Sequence, residues 1–302
     1  MIEWLNQHDL ILMEASIVER IRRAPDQTLH PRLVNAPLIY EATGKQALET
    51  IYAEYMDIAR AAELPLLICT PTWRTNRERV TECAAKETIN ADAVHFLKDL
   101  RDQRQENIRI AGILGCKNDC YTPAEGLSQQ QAFRFHAWQV DQLAGAGVDV
   151  LMAVTLPAIN EALGLAQAME RSGLPYIISF VIARNGYLLD GTALAEAIAT
   201  IDQATDRQPL GYTVNCAHPT FLCPHDQPKS VFERLIGYQG NASSLDHCDL
   251  DGAAEIKAEP VADWSAQMLE LNQTYGVKML GGCCGTNGEH LRTLVSLTKQ
   301  QA

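Results

Sequence analysis

The chain has 302 residues, 47% of them hydrophobic and 21% charged, with a formal net charge of −12. That balance, with no clustered block of Lys and Arg, excludes nucleic acid as a partner, because affinity for a phosphate backbone comes from such clusters. No apolar run reaches the roughly 18 residues of a membrane span, and residues 1–10 are polar and acidic where a secretory leader is basic and then apolar, so a cytoplasmic protein is expected.

Short apolar runs alternate with longer amphipathic stretches along the chain. Strands are expected at residues 10–15, 65–70, 108–114, 148–155, 176–182, 210–215, 235–240 and 277–282. Several are continuous apolar runs, as parallel strands covered on both faces require. Helical spacing fills 46–62, 128–146, 158–172, 192–204 and 262–275, with Gly or Pro near the joints, as in Ser172-Gly173-Leu174-Pro175 and Tyr275-Gly276. This pattern points to an α/β chain folded as a single (β/α)8 TIM barrel over residues 1–302, a fold that needs about 250 residues. A doubly wound open sheet reads the same way, but no G-x-G-x-x-G follows the first strand. Residues 22–43 carry prolines without a clear period and read as a loop after the first strand. Residues 241–260 read as a second loop on the active face, where barrels place their chemistry.

Nine cysteines, an odd number, without a secretory leader predict reduced thiols. The strongest local signal is Gly281-Gly282-Cys283-Cys284-Gly285-Thr286, directly after the last strand. Flanking glycines allow backbone angles that turn both thiols toward one ion; a redox pair and simple packing are the other readings of these six residues. The second signal is Val214-Asn215-Cys216-Ala217-His218-Pro219, at the end of the sixth strand. Strands six and eight of a barrel open onto one face, so Cys216 can meet Cys283 and Cys284. Three thiolates suit tetrahedral zinc with its fourth position open. A thiol at that position is deprotonated by the metal's charge, whereas a free thiol is mostly protonated at neutral pH.

With those residues in hand, the chain resembles the homocysteine S-methyltransferase family. The resemblance covers most of the chain and is carried by Val214-Asn215-Cys216, by Gly282-Cys283-Cys284-Gly285-Thr286, and by Gly147-Val148-Asp149 followed by Thr155-Leu156-Pro157 and Glu161-Ala162. Ile178-Ser179-Phe180 and Asp190-Gly191-Thr192 also fit the family's fifth strand and following turn. It implies a zinc ion held by one cysteine after strand six and two after strand eight, at the positions of Cys216, Cys283 and Cys284. The implied activity is methionine formation: a small sulfonium or quaternary-ammonium donor gives its methyl group to homocysteine.

The chain departs from the family where the acceptor's amino-acid end is held. Glu14-Ala15 stands in place of an Asp-Gly pair after the first strand, Val154 in place of a Glu before Thr155, and Thr70-Pro71-Thr72-Trp73 in place of a Thr-Asn-Thr-aromatic segment. A lost carboxylate partner leaves room for a different thiol acceptor, since buried polar groups discriminate strongly. The same zinc chemistry run as a demethylation, or a non-catalytic zinc-binding barrel, are further alternatives. A hydrolase fits poorly, because three thiolates leave zinc electron-rich.

The candidate substrate residues are Glu14, Trp73, Thr155 and Asn215. Trp73 can flank a cationic donor or simply pack a loop, and Asn215 can support its neighbouring ligand. A chain ending soon after its eighth helix is expected to use a small diffusible donor, and whether it forms a homo-oligomer is left open. Cys69 and Cys83 read as core packing, Cys223 and Cys248 as loop thiols, and His218 and His225 as solvated. Cys116 and Cys120 are placed after the third strand, able to face the site.

Overall fold

The structure, a computed structural model, describes residues 1–104, 107–246 and 258–300. Eight strands close a barrel in chain order: β1 Ile11–Met13, β2 Leu66–Cys69, β3 Ile108–Gly115, β4 Val150–Leu156, β5 Tyr176–Phe180, β6 Gly211–Ala217, β7 Leu235–Gly240 and β8 Met279–Gly282. All neighbours are parallel, and the ring closes where Ile11 and Leu12 pair with Met279 and Leu280. This is the (β/α)8 architecture, with a helix between successive strands and Gly288–Gln300 after the last.

The five helices expected from periodicity lie at Ala42–Ala62, Gln129–Gly145, Ile159–Arg171, Leu194–Ala204 and Val261–Tyr275. Their ends have local causes. Ser128 and Gln131 form a reciprocal capping box on Gln129–Gly145. Gly276, at φ 73°, takes the left-handed turn that stops Val261–Tyr275.

Two segments are more ordered than expected. The polar opening forms a helix, Ile2–Asn6, and its Trp4 and Leu5 bury against Ile11, Met13, Leu67 and Val150. Trp4 Nε1 donates to Asn107 Oδ1 at 2.6 Å, just ahead of β3, so this helix plugs the strand-start end of the barrel. Residues 22–43, expected as a loop, hold the end of the helix Val18–Arg22, a His30–Val34 bridge and a 3-10 turn, Ala36–Tyr40. These pieces are too short to show a period. Of the expected loop 241–260, residues 247–257, with Cys248, lie outside the described residues. Among the described residues no helix is long and apolar enough to cross a membrane.

Candidate metal centre

The barrel lumen is packed with Ile11, Met13, Leu67, Val150, Met152, Ile177 and Met279 up to the level of Cys69 and Val154. Beyond that level the strand ends surround a cavity of about 320 Å³. Cys216, Cys283 and Cys284 all line it, and their sulfurs lie within 4.8 Å of one another. The Cys216 and Cys283 sulfurs are 2.8 Å apart, those of Cys283 and Cys284 4.0 Å.

Regular strand geometry would turn Asn215 and Cys216 to opposite faces. Instead Cys216 adopts φ 56°, and the β6–β7 register slips between Asn215 and Ala217. A bulge of this kind re-aims a side chain, and both residues reach the cavity. The same device recurs on β4, where Thr155 adopts φ 58° at a register shift and Val154 and Thr155 both line the cavity. A left-handed non-glycine residue costs on the order of 1–3 kcal/mol, and two of them face each other here, with Thr155 Oγ1 4.0 Å from the Cys216 sulfur.

Asn215 ties these bends together. Its Oδ1 accepts from the Thr155 amide (2.8 Å) and the Ser179 hydroxyl (2.7 Å). Its Nδ2 donates to Thr155 Oγ1 (2.7 Å) and to the Cys216 sulfur (3.3 Å). The cysteine pair is fixed through its backbone. Cys283 N donates to Gly240 O (2.8 Å), Cys284 N to Asn241 Oδ1 (3.1 Å), and Thr286 Oγ1 to Cys283 O (2.6 Å). Gly282 admits no side chain, because a Cβ there would stand 2.1 Å from Thr286 Oγ1.

The three thiols do not titrate alike. Hydrogen bonds to Cys283 and Cys284, then burial, push Cys216 well up, and Cys283 is raised as well. Hydrogen bonds from Cys216 and Cys283 hold Cys284 well below the thiol range. Three sulfurs this close cannot all be thiolates without a cation among them. Zinc fits this donor set: all-sulfur, tetrahedral and tolerant of thiolate charge.

Around the sulfurs stand the other expected residues. Glu14 is buried with its carboxylate accepting from the Cys69 amide at 2.7 Å, and burial pushes its pKa up to about 8. Trp73 lines the cavity with the Arg74 guanidinium 4.3 Å from its ring centroid, so one face already carries a cation. Cys69 is buried as expected but also lines the cavity, and burial, then Glu14, keeps its thiol strongly protonated. Cys120 faces the cavity too.

His218 was expected to be solvated; it is buried instead, with Nδ1 2.8 Å from Thr220 Oγ1 and Nε2 3.3 Å from Glu259. The turn after β6 folds it inward beneath Phe221. His225 is exposed and meets Tyr275.

Sequence reasoning missed Tyr121, Gln239 and Asn35, which line the same cavity. Gln239 carried a usable signal, being a polar residue inside an apolar strand. Asn35 and Tyr121 sit in loops whose path no periodicity reveals.

A family model described as homocysteine S-methyltransferase matches residues 12–298. Curated relatives include homocysteine S-methyltransferase YbgG of Bacillus subtilis, 24% identical over 179 residues covering 56% of this chain and 53% of that protein. Homocysteine S-methyltransferase of Escherichia coli is 27% identical over 177 residues, covering 54% and 53%. The matched part thus spans about half the length of these relatives. Among solved structures, the metallated form of the Escherichia coli homocysteine methyltransferase MmuM superposes with a TM-score of 0.74 at 18% identity, covering 98% of each chain; at that identity the likeness speaks for the fold.

Proposed function

This chain belongs to the homocysteine S-methyltransferase family, and we propose that it is a zinc-dependent S-methyltransferase, one barrel domain carrying a methyl group from a small cationic donor to a thiol. Homocysteine is the best acceptor and methionine the product. The observation that carries this reading is the convergence of Cys216, from β6, with Cys283 and Cys284, from the end of β8, on one cavity at the strand ends. The metallated form of MmuM supports a metal in this fold.

In this reading Cys216, Cys283 and Cys284 hold the ion. Bound there, zinc would supply the positive charge that lets an incoming thiol release its proton to solvent near neutral pH, so no side chain need act as a base. Asn215 fixes the direction of Cys216 and, through Thr155, the shape of the opposite wall. Glu14 meets the polar end of the acceptor, being the buried carboxyl in the cavity. Trp73 and Tyr121 offer aromatic surface to the donor's cationic centre, although Arg74 already occupies part of Trp73. The acceptor sulfur then attacks the methyl carbon in line with the donor's S–CH3 or N–CH3 bond. A new S–C bond forms, the old bond breaks, and its electron pair leaves with a donor that departs neutral. Rate enhancement comes mainly from placing the two substrates in a desolvated cavity.

The test is methionine formation from homocysteine with S-methylmethionine, S-adenosylmethionine or betaine as donor, followed by mass spectrometry. Methionine with at least one donor is expected; zinc-replete protein that makes none with any of them would overturn the homocysteine reading. A second reading, methylation of another thiol, is favoured by Val154 and Ile113, apolar residues on the cavity wall. A thiol panel separates the two by which acceptor gives the highest kcat/KM.

A further inference from the structure

The segment between β3 and the helix Gln129–Gly145 brings Cys120 and Tyr121 to the cavity. Both residues share that cavity with Cys216, Cys283 and Cys284. What keeps the segment there lies outside the cavity. Glu161, in the first turn of Ile159–Arg171, is 1% exposed, and each of its carboxylate oxygens takes a different end of the segment. Oε1 accepts from the Lys117 amide at 2.7 Å and Oε2 from the Leu127 amide at 3.1 Å. The fully buried His136 lies with Nε2 3.0 Å from Oε1. Burial alone would raise this carboxyl, but the hydrogen bonds from His136, Lys117 and Leu127 outweigh it and Glu161 sits below the ordinary carboxylate range. A second buried group grips the same segment: Arg74 donates to the carbonyls of Cys116 (2.8 Å) and Asn118 (2.6 Å).

One carboxylate that closes a stretch of chain at both ends is more than a helix cap. We infer that Glu161, held by His136, is a positioning residue: by clasping residues 117 and 127 it fixes Cys120 and Tyr121 as the wall above the three sulfurs. The inference deepens the methyltransferase reading and rests on it for its kinetic consequence alone. Glu161→Gln retains the shape but replaces one of the two acceptor oxygens with an NH2 donor. One backbone amide then loses its buried partner, and the segment loosens at that end.

Hydrogen exchange by mass spectrometry on the full-length zinc-loaded protein tests this without any substrate. In Glu161→Gln the amides of residues 117–127 should exchange at least about tenfold faster while β1–β8 keep wild-type protection. Zinc stoichiometry should be unchanged, and KM for the thiol should rise about tenfold with kcat less affected. Arg74→Lys loosens the segment from its carbonyl side without touching Glu161 and should give the same local pattern, so the test survives if Glu161→Gln fails to fold. Wild-type exchange at 117–127 in a folded variant, or acceleration spread evenly over the barrel, would overturn the inference. A protein inactive with every thiol but showing the local exchange would instead sink the methyl-transfer reading and leave the clasp standing.

Discussion

The side-chain amide of Asn215 donates to the sulfur of its own neighbour, Cys216, at 3.3 Å, an arrangement made possible only because Cys216 turns into the left-handed region. The same amide reaches Thr155 Oγ1, whose backbone bends in the same way two strands away. Asn215 thus orients the sulfur of a proposed ligand without offering a sulfur of its own.

Removing it should therefore weaken the metal without abolishing it. Asn215→Ala is expected to lower zinc affinity by about 10–100-fold, the usual cost of losing a residue that orients a ligand. Competition against a chromophoric chelator measures this. Unchanged affinity would mean that the bend, and not the amide, sets the sulfur.

Cys216→Ser and Cys284→Ser should each lose stoichiometric zinc and methyl transfer, since a neutral hydroxyl replaces a thiolate donor. Metal analysis after dialysis is the readout. Cys120→Ser, by contrast, should retain zinc, because Cys120 is not among the three sulfurs that share one point.

Glu14 predicts a pH dependence whose sign follows from its burial. Its folded pKa is about 8 against an ordinary value of 4.5, so the folded chain holds an extra proton between those values. Its contribution to stability is full below about pH 4.5 and is lost as the pH rises through 8. Glu14→Gln removes that loss. In zinc-free protein the variant's Tm, relative to wild type, should be higher at about pH 9 than at about pH 5; an equal difference at both would rule out a buried titrating carboxyl.

Trp73→Ala should raise KM for a cationic donor by about 2–30-fold, the range that a cation–π contact of roughly 0.5–2 kcal/mol allows, with KM for the thiol little changed. Initial rates with each substrate varied in turn decide it. A rise confined to the thiol would show that Trp73 walls the acceptor.

The barrel was legible because eight short, mainly apolar runs, several of them continuous, alternate with helical stretches, and all eight strands appear where those runs stand. The sulfur cluster was legible because vicinal cysteines between glycines and a cysteine at a strand end are rare combinations. Barrel topology then opens β6 and β8 onto one face, and Cys216, Cys283 and Cys284 converge there.

The rest was hidden for physical reasons. The inward turn of His218, the plug made by Trp4 and the clasp on residues 117 and 127 all depend on contacts between segments apart in the chain. No local period records such contacts. Tyr121 is the sharpest case: the segment that carries it to the cavity is gripped at residues 116–118 and 127 by Arg74 and Glu161, which stand on other parts of the chain.

At the centre of the proposed chemistry is a three-sulfur zinc site with one position open to a thiol. Zinc K-edge X-ray absorption on anaerobically purified protein, before and after adding homocysteine, tests it most directly. The expected result is three sulfur neighbours that become four when homocysteine is added. Zinc with fewer than three sulfurs, or protein that binds no zinc at all, would contradict it.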